Sequence, residues 1–174
     1  MNISEEHALQ KALLRLGRLT DSAPHEFRLK GPFPASDYKQ LMSANQAILD
    51  AFHGMSVMMV CDPTAIPETT AILQHTKRER EELCARISHL FYVLASSMKL
   101  GFPLPPTLPR MDRARDRLLA KLFEYKKCRS AVDADWALIY AYTLVTGRVA
   151  EGVADAVQTM ERLYGVLEEE MLEI

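Results

Sequence analysis

The positions of proline divide this chain into long segments that can be helical and short segments that cannot. All nine prolines of the 174 residues fall within three stretches, 24–34, 63–67 and 103–109. Proline lacks a backbone N–H and restricts the residue before it, so each stretch interrupts regular structure. Between these stretches, apolar residues recur every three or four positions, and no segment alternates as a strand would. The sequence therefore predicts an all-α protein.

The pattern further predicts one helical domain over residues 1–174, built as an antiparallel bundle of five or six helices. The predicted helices cover residues 3–20, 35–60, 68–100, 111–129 and 132–171, with proline-rich connectors at 24–34 and 102–109. A chain of this length buries about 70% of the surface that its unfolded form exposes. We therefore expect a substantial hydrophobic core.

The spacing of apolar residues indicates which face of each helix is buried. We expect burial of Leu9, Ala12, Leu13, Leu16 and Leu19 in the first helix, Leu83, Ile87, Leu90, Phe91, Leu94 and Met98 in the third, Leu118, Leu119, Leu122 and Phe123 in the fourth, and Trp136, Ile139, Tyr140, Thr143, Leu144, Val153, Val157, Met160, Leu163, Tyr164 and Leu167 in the last. Gly147, Gly152 and Gly165 can break or kink the last helix.

Composition excludes several classes of protein. Hydrophobic residues make up 48% and charged residues 25%, the balance of an ordinary globular protein. The longest stretches without an acidic or basic residue, 87–98 and 136–147, have twelve residues each. A membrane-spanning helix needs about twenty, so we expect no span in this chain. The N-terminus lacks the features of a signal peptide, and Cys61, Cys84 and Cys128 are spaced as free thiols.

Charge is distributed unevenly along the chain. Residues 1–109 are net neutral, residues 110–129 carry a net charge of +5, and residues 130–174 carry −7. The two charged segments can attract each other within the fold. The alternative is that the basic segment contacts an anionic surface. The candidate anionic-surface contacts are Arg113, Arg117, Lys121, Lys126 and Lys127. We expect no nucleic-acid partner, because the aromatic residues of the last helix lie in an acidic segment.

Motifs for catalysis and cofactor binding are absent from the sequence. There is no P-loop, GxGxxG, HExxH or GxSxG. His75 and Glu79 share a helix face, but the repeated Glu-x-x-His pairs of a di-metal bundle are missing. We therefore expect no enzymatic activity, no cofactor and no metal.

The second connector matches the minimal PxxP pattern at Pro103–Pro106 and at Pro106–Pro109, which a polyproline-binding domain could recognise. The favoured interpretation is structural. We expect Phe102, Leu104 and Leu108 to pack this connector onto the bundle.

Several short segments, in order along the chain, are similar to one family. They are FRLKGPFP at 27–34, Tyr38, AILDAFH at 47–53, FYVLAS at 91–96, PLPPTLP at 103–109, ARDRLLAK at 114–121, YAY at 140–142 and LYG at 163–165. Together they resemble the soluble C-terminal region of fungal fusaric-acid-resistance-like membrane proteins. These proteins are related to aromatic acid exporters and to brefeldin A sensitivity proteins, which are described as ER transporters. The resemblance covers nearly the whole chain.

The resemblance implies a non-catalytic helical domain with an assembly or regulatory role on the cytosolic face of a membrane, either the ER or the plasma membrane. The implied partner is the membrane part of a related transporter, or a second copy of this chain. The alternative is a free-standing helical adaptor that binds a membrane protein or an anionic membrane surface. A third possibility is a bundle enzyme that binds a small molecule or a metal. The resemblance supplies no site residues.

Overall fold

The structure, a computed structural model, describes residues 3–26, 32–61, 66–128 and 133–167. Within the helices, the side chains at positions 3, 55, 58–61, 66–70, 126–128 and 133–139 are outside that description. The described ranges contain six α-helices: α1 (Ile3–Ser22), α2 (Ala35–Cys61), α3 (Ile66–His75), α4 (Lys77–Leu100), α5 (Asp112–Cys128) and α6 (Asp133–Tyr164). The prediction of an all-α protein is therefore confirmed.

Neighbouring helices of the bundle run antiparallel. The contacts that mark these directions are Asp21 with Lys39 and Glu6 with His53 between α1 and α2, Asp37 with Arg162 between α2 and α6, and Glu82 with Arg117 between α4 and α5. In the α1–α2 and α2–α6 contacts the start of one helix lies beside the end of the other. For α4 and α5 the direction follows from a second contact, because Arg86, after Glu82 on α4, donates to the oxygen of Arg110, which precedes Arg117. The predicted antiparallel bundle is thus confirmed. α2 and α6 have the most extensive interface, and α1 packs on the outer side of α2.

α2 and α6 approach each other closely at Gly152. A Cβ atom at this position would lie 2.7 Å from Ile48 Cγ1 and 3.1 Å from the backbone oxygen of Ala44. The two backbones approach this closely because glycine has no side chain. Val149 and Val153 lie on either side of Gly152 and are almost fully buried. This contact lies within the hydrophobic core.

The last predicted helix differs from the structure at its end and at its glycines. α6 runs without a break through Gly147 and Gly152, so the expectation that they can break the helix is wrong. It ends at Tyr164 instead of residue 171, because Gly165 has a φ of 77° and its N–H donates to the Glu161 oxygen at 2.9 Å. A left-handed glycine of this kind is a common helix terminator.

The connector after α4 pairs with the chain that follows α6. Leu104 N–H donates to the Gly165 oxygen at 2.9 Å, and Leu167 N–H donates to the Leu104 oxygen at 2.8 Å. The Leu104 side chain is fully buried, and Leu108 packs against the core. The prediction that the connector packs on the bundle is correct for these two residues and wrong for Phe102, which is 63% exposed.

The predicted helix over 68–100 is two helices, α3 and α4, separated at Thr76. Thr76 has a φ of −100° and a ψ of 9°, outside the helical region. Its fully buried hydroxyl donates to the Ile72 oxygen at 2.8 Å. A hydroxyl that bonds back to the preceding turn competes with the helical pattern and bends the chain.

Outside α1, most of the predicted core residues with described side chains are buried or packed against the core. The exposed exceptions on these helices are Met98, Phe123, Tyr140 and Leu144, and the residues predicted for α1 are treated below. On α6 the buried face instead passes through Ala141, Tyr142 and Val145. Apolar residues surround this part of the helix, so their spacing does not identify the inward side. The predicted core positions Trp136 and Ile139 lie outside the described side chains.

Leu94 lies deep in the core on α4, so shortening it leaves a cavity. We expect Leu94→Ala to lower the free energy of unfolding by about 2–5 kcal/mol, measured by urea denaturation. Tyr92→Ala, two residues away and highly exposed, is the matched control and should change it by less than about 0.5 kcal/mol. A loss below about 1 kcal/mol for Leu94→Ala would show that Leu94 does not lie on the buried face of α4.

The two internal glycines of α6 should respond oppositely to alanine. Gly152→Ala places a methyl group against Ile48 and the Ala44 backbone, so we expect a loss of about 1–3 kcal/mol in unfolding free energy. Gly147 has no neighbouring atom within 4 Å of its added Cβ. Gly147→Ala should therefore stabilise the helix by up to about 1 kcal/mol. Equal changes in unfolding free energy for the two substitutions, measured by urea denaturation, would contradict the close contact of Gly152 with Ile48 and Ala44.

Candidate functional site

α5 carries the predicted basic residues. Arg117 Nη2 donates to Glu82 Oε1 at 2.5 Å, and Lys121 Nζ lies 2.6 Å from Glu124 Oε2. Arg113 is exposed and makes no ion pair with a described residue. The side chains of Lys126 and Lys127 are outside the described part of the chain. Two of the five candidate contacts are therefore already engaged within the fold.

Glu82 of α4 joins two cations from different helices. It accepts hydrogen bonds from Arg86 on its own helix and from Arg117 on α5. These bonds hold the pKa of the Glu82 carboxyl below its usual value, and the bond from Arg86 has the larger effect. Lys121 likewise lowers the pKa of Glu124. Among the described ion pairs, α5 therefore binds α4 and its own carboxylates, and not the acidic segment 130–174 that the sequence suggested.

A lowered carboxyl pKa makes the stabilising effect of Glu82 dependent on pH. The contribution is present above the unfolded-state pKa of about 4.3 and is lost as the pH falls through the lower folded-state pKa. We expect Glu82→Gln to lower the urea midpoint at pH 7, with the difference from the unmodified protein shrinking as the pH approaches about 3.

The control for this experiment is Glu161→Gln, because the exposed Glu161 side chain makes no ion pair with a described residue. It should leave the midpoint nearly unchanged across the same range. A Glu82→Gln effect that is constant with pH would show that the pairing with Arg86 and Arg117 is not its source.

A cavity of about 180 Å³ lies between α4, α5 and α6. Its walls are mainly apolar and include Leu83, Ile87, Leu118 and Val149. The remaining lining residues are Phe52, Arg80, Cys84, Met111, Arg115, Tyr142, Val145, Thr146 and Ala150. Cys84 and Phe52 have exposed side chains, so the cavity reaches the surface beside them. Cys61 and Cys128, the other predicted free thiols, have no described side chains.

Arg80 is the main polar feature of this cavity. Its Nη2 donates to the Leu73 oxygen at 2.8 Å, across the break between α3 and α4. Its Nε is buried and has no hydrogen-bond partner. The guanidinium lies beside Tyr142: burial raises the pKa of the Tyr142 hydroxyl, and the Arg80 charge partly opposes this. The Tyr142 hydroxyl therefore stays protonated at neutral pH.

The second candidate surface involves α1. The least exposed described residues of α1 are Glu6, Gln10, Leu13, Gly17 and Thr20. Their spacing of three and four residues defines one helix face. Gln10 exchanges amide hydrogen bonds with Gln46 of α2 at 3.1 and 3.0 Å, and Thr20 bonds to Met42. α1 thus contacts α2 through a largely polar face.

The predicted leucine stripe of α1 is therefore displaced from the contact with α2. Leu9, Leu16 and Leu19 are 50%, 49% and 54% exposed, and Ala12 is exposed as well, so the prediction that these residues are buried is wrong. Leu9 and Leu16 instead line an open apolar groove of about 580 Å³. The groove follows α2 and reaches Phe91 and Met98 of α4. We call this surface the α1–α4 groove.

Sequence reasoning missed both Arg80 and the α1–α4 groove. Arg80 lies in the charged run 77–82, which resembles a solvated helix face. Its spacing from Leu83, Ile87 and Leu90 nevertheless places it on the core stripe of α4. That spacing was the available signal. The groove had no such signal, because the sequence does not state which helix meets which face.

Metal-binding residues do not gather in the described part of the chain. No group of three His, Cys, Asp or Glu side chains there is arranged to hold a metal ion. His75, which the sequence pairs with Glu79, lies against the ring of Tyr125, with centroids 5.3 Å apart. None of the helices in the described ranges has the length and apolar character needed to cross a bilayer.

These features define a helical-bundle domain with a lined cavity and an open apolar groove in its described part. The chain belongs to the brefeldin A-sensitivity protein 4-like domain family, whose model matches residues 3–169. The part of the predicted resemblance that concerns brefeldin A sensitivity proteins is thereby confirmed. Comparison with curated proteins and with solved structures gave no significant match.

Proposed function

We propose that this chain is a non-catalytic helical domain that assembles with the membrane part of a transporter, on the cytosolic face of a membrane. In this proposal it is the C-terminal part of a fungal fusaric-acid-resistance-like or aromatic-acid-exporter-like protein. The observation that carries the proposal is the leucine stripe of α1, which lies half-exposed in the α1–α4 groove. Family membership over residues 3–169 supports it.

The leucine stripe has the character of a contact surface. Its leucines are regularly spaced over most of a 20-residue helix, which is about 30 Å long. Isolated exposed leucines are common in proteins, whereas a continuous apolar stripe beside a groove favours docking of another apolar element. An amphipathic or membrane-derived helix fits such a groove by placing its apolar side chains between α1 and α4.

The charge on α1 favours a partner at a membrane surface. Lys11, Arg15 and Arg18 are all exposed, and their spacing places them on one face that borders the leucine stripe. No acidic residue interrupts this run before Asp21. Basic residues next to apolar ones are typical of segments at the cytosolic side of membranes, where anionic lipids attract them. This combination supports the membrane part of a transporter over a second copy as the partner.

Site-specific crosslinking tests the proposed partner. A photoreactive amino acid at Leu16 should crosslink, in native cells, to a protein that mass spectrometry identifies as having membrane-spanning helices. The same amino acid at Tyr92, which is exposed on α4 outside the groove, is the control and should not give this product. Adding Leu9→Ser should weaken the crosslink at least about threefold, because it removes part of the apolar contact.

The other outcomes identify the competing functions. Crosslinks between copies of this chain alone would contradict the proposal and indicate a homo-oligomer. Binding to anionic vesicles that depends on Arg113, Arg117 and Lys121, without any crosslinked protein, would favour the free-standing adaptor. Crosslinking from Tyr92 as strong as from Leu16 would show that the groove is not the docking surface.

A further inference from the structure

The cavity between α4, α5 and α6 combines apolar walls with one guanidinium group that is incompletely paired. Arg80 forms a hydrogen bond to the Leu73 oxygen but no ion pair with any described carboxylate. Its Nε is buried without a partner. Arg80 as a whole is only half-buried, and because its Nε is closed off, the accessible part of the guanidinium is its terminal nitrogens. A partly desolvated guanidinium without a described carboxylate beside it favours an anion in the adjoining apolar space.

The other polar side chains that line the cavity are already paired or lie beside Arg80. Arg115 also lines the cavity, but its guanidinium is bonded to Asp116 at 3.2 Å. The Thr146 hydroxyl donates to the Tyr142 backbone oxygen at 2.6 Å. The Tyr142 hydroxyl lies beside Arg80 and is protonated, so it is a second donor next to the guanidinium. Arg80 and Tyr142 therefore form a two-donor group at one side of an apolar space.

We propose that this cavity binds a compact apolar molecule that carries one carboxylate, with Arg80 and Tyr142 as donors to the carboxylate and the apolar walls around the rest. A guanidinium binds a carboxylate through two parallel hydrogen bonds, and these bonds are stronger than neutral ones. A phosphate monoester would bring a second charge, and the described lining residues offer no further free cation, because Arg115 is paired with Asp116.

The cavity size sets the size of the ligand. Its volume is about 180 Å³, and an apolar cavity of about 150 Å³ in another protein accommodates benzene. The ligand is therefore a short-chain acid and not a long lipid. It enters beside Cys84 and Phe52, where the cavity meets solvent. This inference does not depend on the docking role of α1, since the donors and most of the walls lie on α4, α5 and α6.

Hexanoate is a suitable probe, with 1-hexanol as the uncharged control of similar shape. For a ligand of this size we expect a dissociation constant of about 1 mM or tighter for hexanoate in calorimetry. Binding of 1-hexanol should be at least about tenfold weaker, because it cannot pair with the guanidinium. In a Cys61→Ser, Cys128→Ser background, hexanoate should also slow alkylation of Cys84, which locates the ligand in the cavity.

Two arginine variants separate the site from general effects. Arg80→Met should weaken hexanoate binding at least about tenfold, while Arg78→Met, exposed and two residues earlier, should leave it unchanged. Arg80→Lys keeps the charge and serves if Arg80→Met does not fold; it should retain part of the affinity. Equal binding of hexanoate and hexanol, unchanged binding by a folded Arg80→Met, or no protection of Cys84 at about 10 mM hexanoate would each overturn the proposal.

Discussion

The contact between α2 and α6 at Gly152 is the constraint on which the bundle depends. A side chain at this position would overlap Ile48 and press on the backbone of Ala44. Because glycine has no side chain, α2 and α6 approach each other closely here, and Val149 and Val153 fill the space beside the contact. The remaining helices are arranged around this pair. α1 lies on the outer side of α2, while α4 and α5 pack together and against α6.

The α1 interface differs in kind from this core. Polar pairs such as Gln10 with Gln46 join α1 to α2, and the exposed leucines lie to one side of that contact. An interface of exposed polar contacts contributes less stability than a buried apolar one. α1 is therefore suited to bind a partner through its exposed leucines without disturbing the centre of the fold. Phe52 lines both the α1–α4 groove and the Arg80 cavity, so the two candidate surfaces adjoin.

Much of the architecture could be predicted from the positions of proline and the period of apolar residues. The helical class, the antiparallel arrangement and the starts of most helices follow from these local patterns. The break at Thr76 could not be predicted, because it depends on a buried hydroxyl bonding to Ile72. The inward side of α6 near Tyr140 was also ambiguous, since apolar residues surround the helix there.

The candidate sites were harder to predict for a different reason. The leucines of α1 have the spacing of a buried stripe, but only the packing shows that Gln10 and Gly17 face α2 instead. Arg80 is one cation among several in sequence and becomes distinct through the burial of its Nε. The basic residues of α5 are close together in the sequence, whereas the pairing of Arg117 with Glu82 depends on the relative position of two helices.

α2 and α6 form the stable centre of the bundle, while α1 is held weakly at its edge with its leucines available to a partner. Native-state hydrogen exchange of the isolated chain tests this arrangement most directly, since it measures the opening free energy of each helix. We predict that amides near Ile48 and Gly152 exchange through global unfolding, and that amides between Leu9 and Leu19 exchange through a lower-energy local opening. Protection of α1 equal to that of α6 would contradict the account.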